Sequence, residues 1–235
     1  MKKLMLIGGG SNGHGSSLYE TREIDEEIVK MTGKINPTFL FIGLANSYSD
    51  AYYDVMKGIY RNLGCNTVYL KKSNIIKNPD IVKKKINDAD IIYMGGGDTI
   101  KLISSLRQYN IDKLILEAVE KGCVLAGISA GAIAISNSGL SDYQIINNIS
   151  EKYVFATGLA IVNIDICPHG NDSKRIQDLK GSLKNTNKKV LVLENGTALK
   201  INGEKKDIVK SISKAKATIG YWKDDIWIQE EFSNK

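Results

Sequence analysis

Short apolar runs alternate with amphipathic segments over the first 135 residues of the chain. The apolar runs have the length and the β-branched and aromatic content of buried strands, while the segments between them repeat apolar positions at helical spacing. The predicted strands are LMLIG, TFLFIGLA, NTVYL, ADIIYMG and CVLAG, and the predicted helices are TREIDEEIVKMTGK, SDAYYDVMKGIYRNLG, NPDIVKKKIND, TIKLISSLRQY and IDKLILEAVEKG. This alternation predicts a three-layer α/β/α fold with a mainly parallel sheet and helices on both of its faces.

Residues typical of helix ends mark several of these boundaries. Thr21 is placed as an N-cap of the first helix, and Gly33 follows that helix as a stop. Asn78 precedes Pro79, a combination typical of a cap followed by the first helical position. These residues favour the helix bounds read from the apolar pattern.

The pattern changes after residue 136. The segment SNSGLSDYQIINNISEKY is polar and is predicted to be a loop, LAIVNIDICPHG is predicted to be strand-like, and NDSKRIQDLKGSL is predicted to be a short helix. The tail alternates strand-like runs from about 190 to 230, with Asn202-Gly203 as a hairpin signal. We therefore expect one domain over residues 1–235, with antiparallel ribbons added to the main sheet near its end.

Composition narrows the class of protein. Hydrophobic residues make up 43% and charged residues 25%, which is ordinary for a globular protein. The formal net charge is +6, but the basic residues are mostly scattered lysines, which indicate solvated helix faces, so no nucleic-acid partner is expected. No apolar run is long enough to span a bilayer, so we expect no membrane partner, and the N-terminus does not resemble a secretory signal.

Cysteine usage suggests the compartment. Cys65, Cys123 and Cys167 are odd in number and show no CxxC spacing. Free thiols in a reducing compartment are the expected state, and we expect a cytoplasmic protein.

Three glycine-rich turns each follow a predicted strand, and the first of them is ambiguous. Gly8, Gly10 and Gly13 match the G-x-G-x-x-G pattern of dinucleotide sites. The next helix, however, begins only near Thr21, and no acidic residue ends the second strand. A nucleotide-binding oxidoreductase is therefore the least favoured function, and His14 in this loop is interpreted as an exposed histidine.

The third turn, GISAG, matches the nucleophile elbow G-x-S-x-G around Ser129. An elbow needs a buried strand, small neighbours and a helix that starts at once, and all three are present here. A close-packed strand-to-helix turn with an incidental serine is the alternative. The second turn, YMGGGDT, favours the nucleophile, because its backbone N–H groups can complete an oxyanion hole with the N–H of Ala130.

A nucleophilic serine needs a base and an acid to orient that base. His169 follows a strand-like run and is favoured over His14 as the base, and Cys167 with His169 lacks further ligands at useful spacing, so no metal site is expected. Glu194 at the end of a buried-looking strand and Asp142 on a polar loop are rival candidates for the acid.

At this point the sequence resembles the serine peptidases of the dipeptidase E (aspartyl dipeptidase) and cyanophycinase family. The likeness covers about residues 1–200, and its motifs are GGGDTIKLI, AGISAGAIAI, CPH and LENGTAL. Asp98 in the first motif departs from the Asn that is usual in the family.

The resemblance implies a fold related to the class I glutamine amidotransferase domain and a Ser-His-Glu triad. On this sequence the triad falls on Ser129, His169 and Glu194, with Asp142 as the alternative acid. Gly96 and Ala130 would then be the oxyanion donors.

The resemblance also implies hydrolysis of dipeptides with an N-terminal aspartate, or of β-aspartyl-arginine polymers, without a cofactor. Arg175 is placed either as a clamp for a substrate carboxylate or as a solvated helix-face residue. We expect a serine peptidase with a small peptide substrate. The alternatives are an esterase of the α/β-hydrolase type and a non-catalytic protein that binds a small anion on the same scaffold.

Overall fold

The computed structural model describes residues 1–13 and 17–233. The strands, numbered along the chain, are β1 (Lys3–Ile7), β2 (Thr38–Ile42), β3 (Asn66–Leu70), β4 (Ile91–Met94), β5 (Val124–Ile128), β6 (Ser138–Ser141), β7 (Val154–Thr157), β8 (Asp165–Cys167), β9 (Val190–Leu193), β10 (Thr197–Asn202), β11 (Lys205–Lys210), β12 (Ala217–Lys223) and β13 (Ile226–Glu231). The helices are α1 (Arg22–Thr32), α2 (Ser49–Asn62), α3 (Lys72–Lys77), α4 (Pro79–Asn87), α5 (Thr99–Gln108), α6 (Ile111–Glu120), α7 (Ala130–Ile135), α8 (Tyr143–Ile146) and α9 (Ser173–Leu183).

The main sheet has the strand order β11-β10-β1-β5-β4-β2-β3. The strands from β1 to β3 in this order are mutually parallel, and β10 and β11 pair antiparallel at one edge. The register sets Ile7 beside Ile128 and Met94 beside Gly127. The carboxyl ends of β1, β4 and β5, which lead into the three glycine-rich turns, therefore meet at one edge of the sheet.

Both faces of the main sheet are covered, as the alternation of strands and helices predicts. In β1, Leu4 and Leu6 join one core cluster while Met5 and Ile7 join the other, and all four are fully buried. The face with Met5 packs against α1 and α2, and the opposite face packs against α4 to α7. Because both faces are buried, these strands read as continuous apolar runs. The α/β fold is confirmed.

A second sheet has the order β13-β12-β9-β8-β6-β7, with β9, β8 and β6 parallel. The Asn202-Gly203 hairpin is confirmed between β10 and β11, with Gly203 at a φ of 65°. We expected the antiparallel ribbons to extend the main sheet, but only β10 and β11 do so. The ribbon of β12 and β13 instead extends β9, whose other neighbour is β8.

The polar segment after residue 136 contains regular structure that its composition does not indicate. Ser138–Ser141 forms β6, which pairs with both β7 and β8. Leu140 is fully buried, and the Ser141 hydroxyl lies 2.8 Å from that of Thr99 on α5. The loop prediction is wrong here because long-range pairing and buried hydroxyl contacts stabilise a strand of small residues.

The predicted helix ends have mixed outcomes. Gly33 ends α1 in the left-handed conformation, and the Asn78 side chain accepts a hydrogen bond from the backbone of Ile81, as a cap should. Thr21 does not cap α1 with its side chain; its hydroxyl instead donates to buried Asp25 at 2.8 Å.

Two further expectations concern the whole chain. The three cysteines are free thiols, as expected, and the structure places all three in buried positions. Over the residues that the structure describes, no helix combines the length and apolar character needed to cross a bilayer.

Candidate active site

Ser129 lies in the turn between β5 and α7 with a φ of 53° and a ψ of −110°. A positive φ is strained for a residue with a side chain and persists only where the surroundings enforce it. Here the Ser129 N–H donates to the Ile7 carbonyl of the neighbouring strand at 3.0 Å. The turn therefore has the strained geometry that a nucleophile elbow requires.

The small residues around Ser129 leave room for close backbone packing. A Cβ atom on Gly131 would overlap the carbonyl oxygen of Met94 on β4, and one on Gly127 would overlap Gly131 itself. The two interpretations of the GISAG motif are thus compatible, because close packing of α7 on the sheet is what holds Ser129 in its strained turn.

His169 lies in the loop after β8 and reaches the serine. Its Nε2 atom is 2.8 Å from Ser129 Oγ, and its backbone N–H donates to the Gly8 carbonyl at 2.8 Å. His169 also has a positive φ, of 54°. The predicted pairing of the elbow serine with His169 is present in the structure.

The other ring nitrogen of His169 faces Asn195. His169 Nδ1 is 2.8 Å from Asn195 Oδ1, and that oxygen can only accept, so Nδ1 carries the proton in the neutral ring. Nε2 is then unprotonated and accepts the hydrogen bond that the Ser129 hydroxyl donates. This tautomer is the one that a general base for Ser129 requires.

Glu194, the acid expected beside His169, does not make this contact. Its Oε2 accepts from the backbone N–H of Lys216 at 2.9 Å. Glu194 and Asn195 follow the last residue of β9, where consecutive side chains point to opposite sides. The Glu194 side chain therefore faces the segment before β12, and the side chain of the next residue, Asn195, faces His169.

Asp142, the alternative acid, also does not contact His169 Nδ1. Its Oδ2 pairs with the Arg175 guanidinium at 3.1 Å. Arg175 is only 3% exposed, donates to the Leu140 carbonyl at 2.8 Å and lies 4.2 Å from the centre of the Tyr153 ring. The solvated interpretation of Arg175 is wrong, because these partners bury its guanidinium behind Asp142.

Burial lowers the pKa of His169 below its ordinary value of 6.5. The nearby charge of Arg175 lowers it further, and the hydrogen bond to Asn195 and the charges of Asp142 and Asp172 act in the opposite direction. The imidazole is therefore neutral at pH 7 and can accept a proton.

Ser129 and His169 open into a hollow of about 290 Å³. Its lining is made of backbone-exposing glycines and a few side chains: Gly9, Gly10, Tyr52, Gly96, Gly97, Ile128, Ser129, Asp142, Ile146 and His169. This volume is at the lower end of the range for ligand pockets, so the hollow admits a small ligand.

Gly96 and Ala130, the predicted oxyanion donors, flank Ser129. The Cβ position of Gly96 is 3.6 Å from Ser129 Cβ, and the Asn46 side chain fixes the Gly96 carbonyl with a hydrogen bond of 3.0 Å. Ala130 is the first residue of α7, so its N–H has no carbonyl partner in a preceding helical turn. Both backbone groups are placed where strands β4 and β5 end.

Tyr52 is a lining residue that the sequence did not indicate. Burial raises the pKa of its hydroxyl above the usual range, the charge of Asp25 raises it further, and a hydrogen bond with the backbone of Gly96 partly offsets this. The hydroxyl is therefore protonated at neutral pH and available as a donor. Its position in the first turn of the amphipathic helix α2 gave no signal of this contact.

The first glycine turn contributes space to the site. Gly9 has a φ of 147°, and a Cβ atom there would overlap the His169 ring and Asn195 Oδ1. The Gly9 carbonyl accepts from the N–H of Gly196 at 2.9 Å. The glycines of the G-x-G-x-x-G pattern thus allow the chain after β1 to approach the His169–Asn195 pair closely. His14, in the same turn, lies outside the described residues.

The thiol of Cys167, which lies two residues before His169, is directed to the Pro168 carbonyl. Across residues 1–13 and 17–233, His, Cys, Asp and Glu side chains form no group of three suited to a metal ion.

An α/β sheet that presents a serine on a strained turn, hydrogen-bonded to a neutral histidine, is typical of serine hydrolases. The family model of peptidase family S51 matches residues 4–209, and the chain belongs to this family. It is therefore a peptidase, with a peptide as its substrate. Family membership favours this function over the esterase and the non-catalytic binding protein.

Individual relatives agree with this assignment. The chain is 28% identical over 177 residues to the uncharacterized peptidase YgaJ of Bacillus subtilis (strain 168), covering 74% of this chain and 71% of the relative. It is 24% identical over 211 residues to peptidase E of Pasteurella multocida (strain Pm70), covering 87% of each. The crystal structure of a peptidase from an acI-B1 Actinobacterium shares the fold, with a TM-score of 0.70 at 21% identity over 100% of this chain and 96% of that one.

Proposed function

We propose that this chain is a serine peptidase in which Ser129, His169 and Asn195 act as the catalytic unit. The observation that carries the proposal is the continuous hydrogen-bonded line from Ser129 Oγ to His169 Nε2 and from Nδ1 to Asn195 Oδ1, with both distances at 2.8 Å. Ser129 Oγ attacks the peptide carbonyl carbon while His169 Nε2 takes the hydroxyl proton.

The proposed collapse of the tetrahedral intermediate returns this proton. His169 gives it to the leaving nitrogen, the carbon–nitrogen bond breaks, and an acyl ester on Ser129 remains. A water molecule, deprotonated by His169, then attacks the ester, releases the acid product and restores the Ser129 hydroxyl. Every step uses protein groups and water, and Asn195 keeps His169 in the required tautomer throughout.

The oxyanion is proposed to bind between the ends of β4 and β5. The N–H of Ala130 is the proposed backbone donor, and the protonated Tyr52 hydroxyl, whose oxygen accepts from the Gly96 N–H, adds a side-chain donor. Such donors stabilise the negative charge that develops on the carbonyl oxygen in the transition state.

Short peptides are the proposed substrate class, because the hollow is small and four of its ten lining residues are glycines. Peptides with an N-terminal aspartate are the substrates that the family resemblance implies. Among the described lining residues there is no lysine or arginine to hold an aspartate side chain, and the Arg175 guanidinium is already engaged by Leu140 and Asp142. We therefore propose that aspartate is accepted but not required at the N-terminus.

Replacing the nucleophile tests the proposal. Ser129→Ala should abolish hydrolysis of a panel of dipeptides, including Asp-Leu and Ala-Leu, while its thermal unfolding midpoint stays close to that of the wild type. Ser104→Ala, an exposed serine on α5, is the matched control and should retain full activity. Turnover by Ser129→Ala at the wild-type rate would overturn the assignment.

A further inference from the structure

Asp142 lines the same hollow as Ser129 and His169, but the His169 ring nitrogens are hydrogen-bonded to Asn195 and Ser129 and not to Asp142. One of its oxygens, Oδ2, is held by Arg175, and within the described part of the chain Oδ1 takes no hydrogen bond. The Asp142 side chain is 31% exposed. A carboxylate oxygen with unused acceptor capacity therefore lies in the wall of the proposed substrate site.

The position of this carboxylate is fixed from behind. Arg175 bridges Asp142 and the Leu140 carbonyl and lies against the Tyr153 ring, so its own freedom is small. Tyr153 is in turn tied to Asp172, to which its hydroxyl donates at 2.7 Å. A polar group held this way loses little conformational entropy when it binds a ligand.

The charges around Asp142 favour a cation in the hollow. Arg175 is flanked by two carboxylates, Asp142 and Asp172, whose charges both act on His169. Arg175, Asp142 and Asp172 together carry one net negative charge, and the neutral His169 adds none. The nearby Lys174 is exposed and lines a separate hollow beside Ile145.

From this geometry we propose that Asp142 binds the free α-amino group of the substrate and so directs cleavage to the bond after the first residue. In a peptide the α-amino nitrogen lies about 2.5 Å from the carbonyl carbon of its own residue, and each additional residue moves it by about 3.8 Å. An amine anchor in the same small hollow as the nucleophile therefore suits a substrate with one residue before the scissile bond. Arg175 is the positioning residue for Asp142, and the inference rests on the proposed peptidase function.

The test compares free and acetylated substrates. The wild-type kcat/KM for Ala-Leu should exceed that for N-acetyl-Ala-Leu by at least about tenfold, since an ammonium–carboxylate hydrogen bond is lost on acetylation. Asp142→Asn should lower kcat/KM for Ala-Leu by about 10- to 100-fold and bring the ratio of the two substrates close to one. Asp80→Asn, an exposed aspartate on α4, is the matched control and should keep the wild-type ratio.

Arg175→Lys tests the positioning role. Lysine keeps the charge but not the fork that joins Leu140 to Asp142, so the free-to-acetylated ratio should fall while labelling of Ser129 by a fluorophosphonate continues. A general structural defect would lower both substrates equally and leave the ratio unchanged, which would count against the positioning role.

The outcomes separate this inference from the proposed function. If the wild type cleaves both substrates equally well, or if folded Asp142→Asn retains the wild-type ratio, amine recognition by Asp142 is refuted and the peptidase function stands. If folded wild-type protein neither cleaves the dipeptides nor reacts with the fluorophosphonate at Ser129, both are overturned. Because the wild-type comparison alone can refute the inference, the test does not depend on the variant folding.

Discussion

The hydrogen bond between His169 and Asn195 gives a specific prediction about which residue after β9 supports catalysis. Asn195→Ala removes the acceptor from His169 Nδ1, which now lies 2.8 Å from Asn195 Oδ1. Without that acceptor, the ring is free to rotate or to place its proton on Nε2, and either change removes the base from Ser129.

The size of the effect follows from the geometry. Leaving a buried donor without a partner costs about 1–3 kcal/mol, which corresponds to about a 5- to 150-fold change in rate. His169 and Asn195 are only partly buried, so water can replace some of the lost interaction. We therefore expect kcat to fall by about tenfold, with a smaller change in KM.

The assay is steady-state hydrolysis of a dipeptide at pH 7.5, with Glu194→Gln as the matched control. The control preserves an acceptor for the Lys216 N–H and should change kcat by less than about threefold. The reasoning would be refuted if Asn195→Ala kept the wild-type kcat while Glu194→Gln lost tenfold or more in kcat. Glu194 would then be the residue that acts on His169.

The remaining predictions concern acid–base behaviour, the oxyanion site and packing. Because the pKa of His169 is lowered, kcat/KM should fall only below pH 6.5. Asn195→Asp places a carboxylate beside Nδ1, which raises the pKa of His169, so the fall in kcat/KM should begin about one pH unit or more higher. An unchanged pH profile would contradict the contact with Nδ1. Tyr52→Phe should lower kcat about three- to tenfold with a near-normal KM, and an unchanged kcat would remove it from the oxyanion site. Gly131→Ala should lower the free energy of unfolding by about 1–3 kcal/mol in denaturant, because the new Cβ overlaps Met94. Gly58→Ala, in open space on α2, should raise it by about 0.5–1 kcal/mol. Equal changes in the two variants would contradict the close packing around Gly131.

Buried Asp25 gives a prediction about stability against pH. Burial raises its pKa from 3.8 to about 6, with hydroxyl donors from Thr21, Tyr60 and Tyr19 acting against the shift. Because the native pKa is raised, the fold favours the protonated form of Asp25. The stability that comes from this protonation is complete below pH 3.8 and is lost as the pH rises through about 6. The contribution is about 3 kcal/mol, and it should appear as a pH-dependent difference in unfolding free energy between the wild type and Asp25→Asn. A difference that stays constant from pH 4 to pH 7 would contradict the burial of an ionisable group.

Local patterns were sufficient to predict the parallel core and the pair of Ser129 and His169. Strands buried on both faces are continuous apolar runs, and the elbow needs small residues at fixed spacing, so both leave direct marks in the sequence. The β6 strand left no such mark, because Ser138–Ser141 is held by pairing with β7 and β8.

The partner of His169 depends on finer geometry than a motif carries. Whether Glu194 or Asn195 faces the histidine is decided by one residue of register at the end of β9, and a one-residue step reverses the side on which a side chain emerges. The ion pair of Asp142 with Arg175 joins residues 33 positions apart, so neither its existence nor the burial of Arg175 was visible from local patterns.

Covalent labelling of Ser129 tests the central claim most directly. Folded wild-type protein is treated with a fluorophosphonate, digested and examined by mass spectrometry, with His169→Ala in parallel. The account predicts a single adduct on the peptide that contains Ser129 and a strongly reduced rate of labelling when His169 is replaced. Absence of an adduct from the folded wild type, or an adduct on another residue while Ser129 stays unmodified, would contradict it.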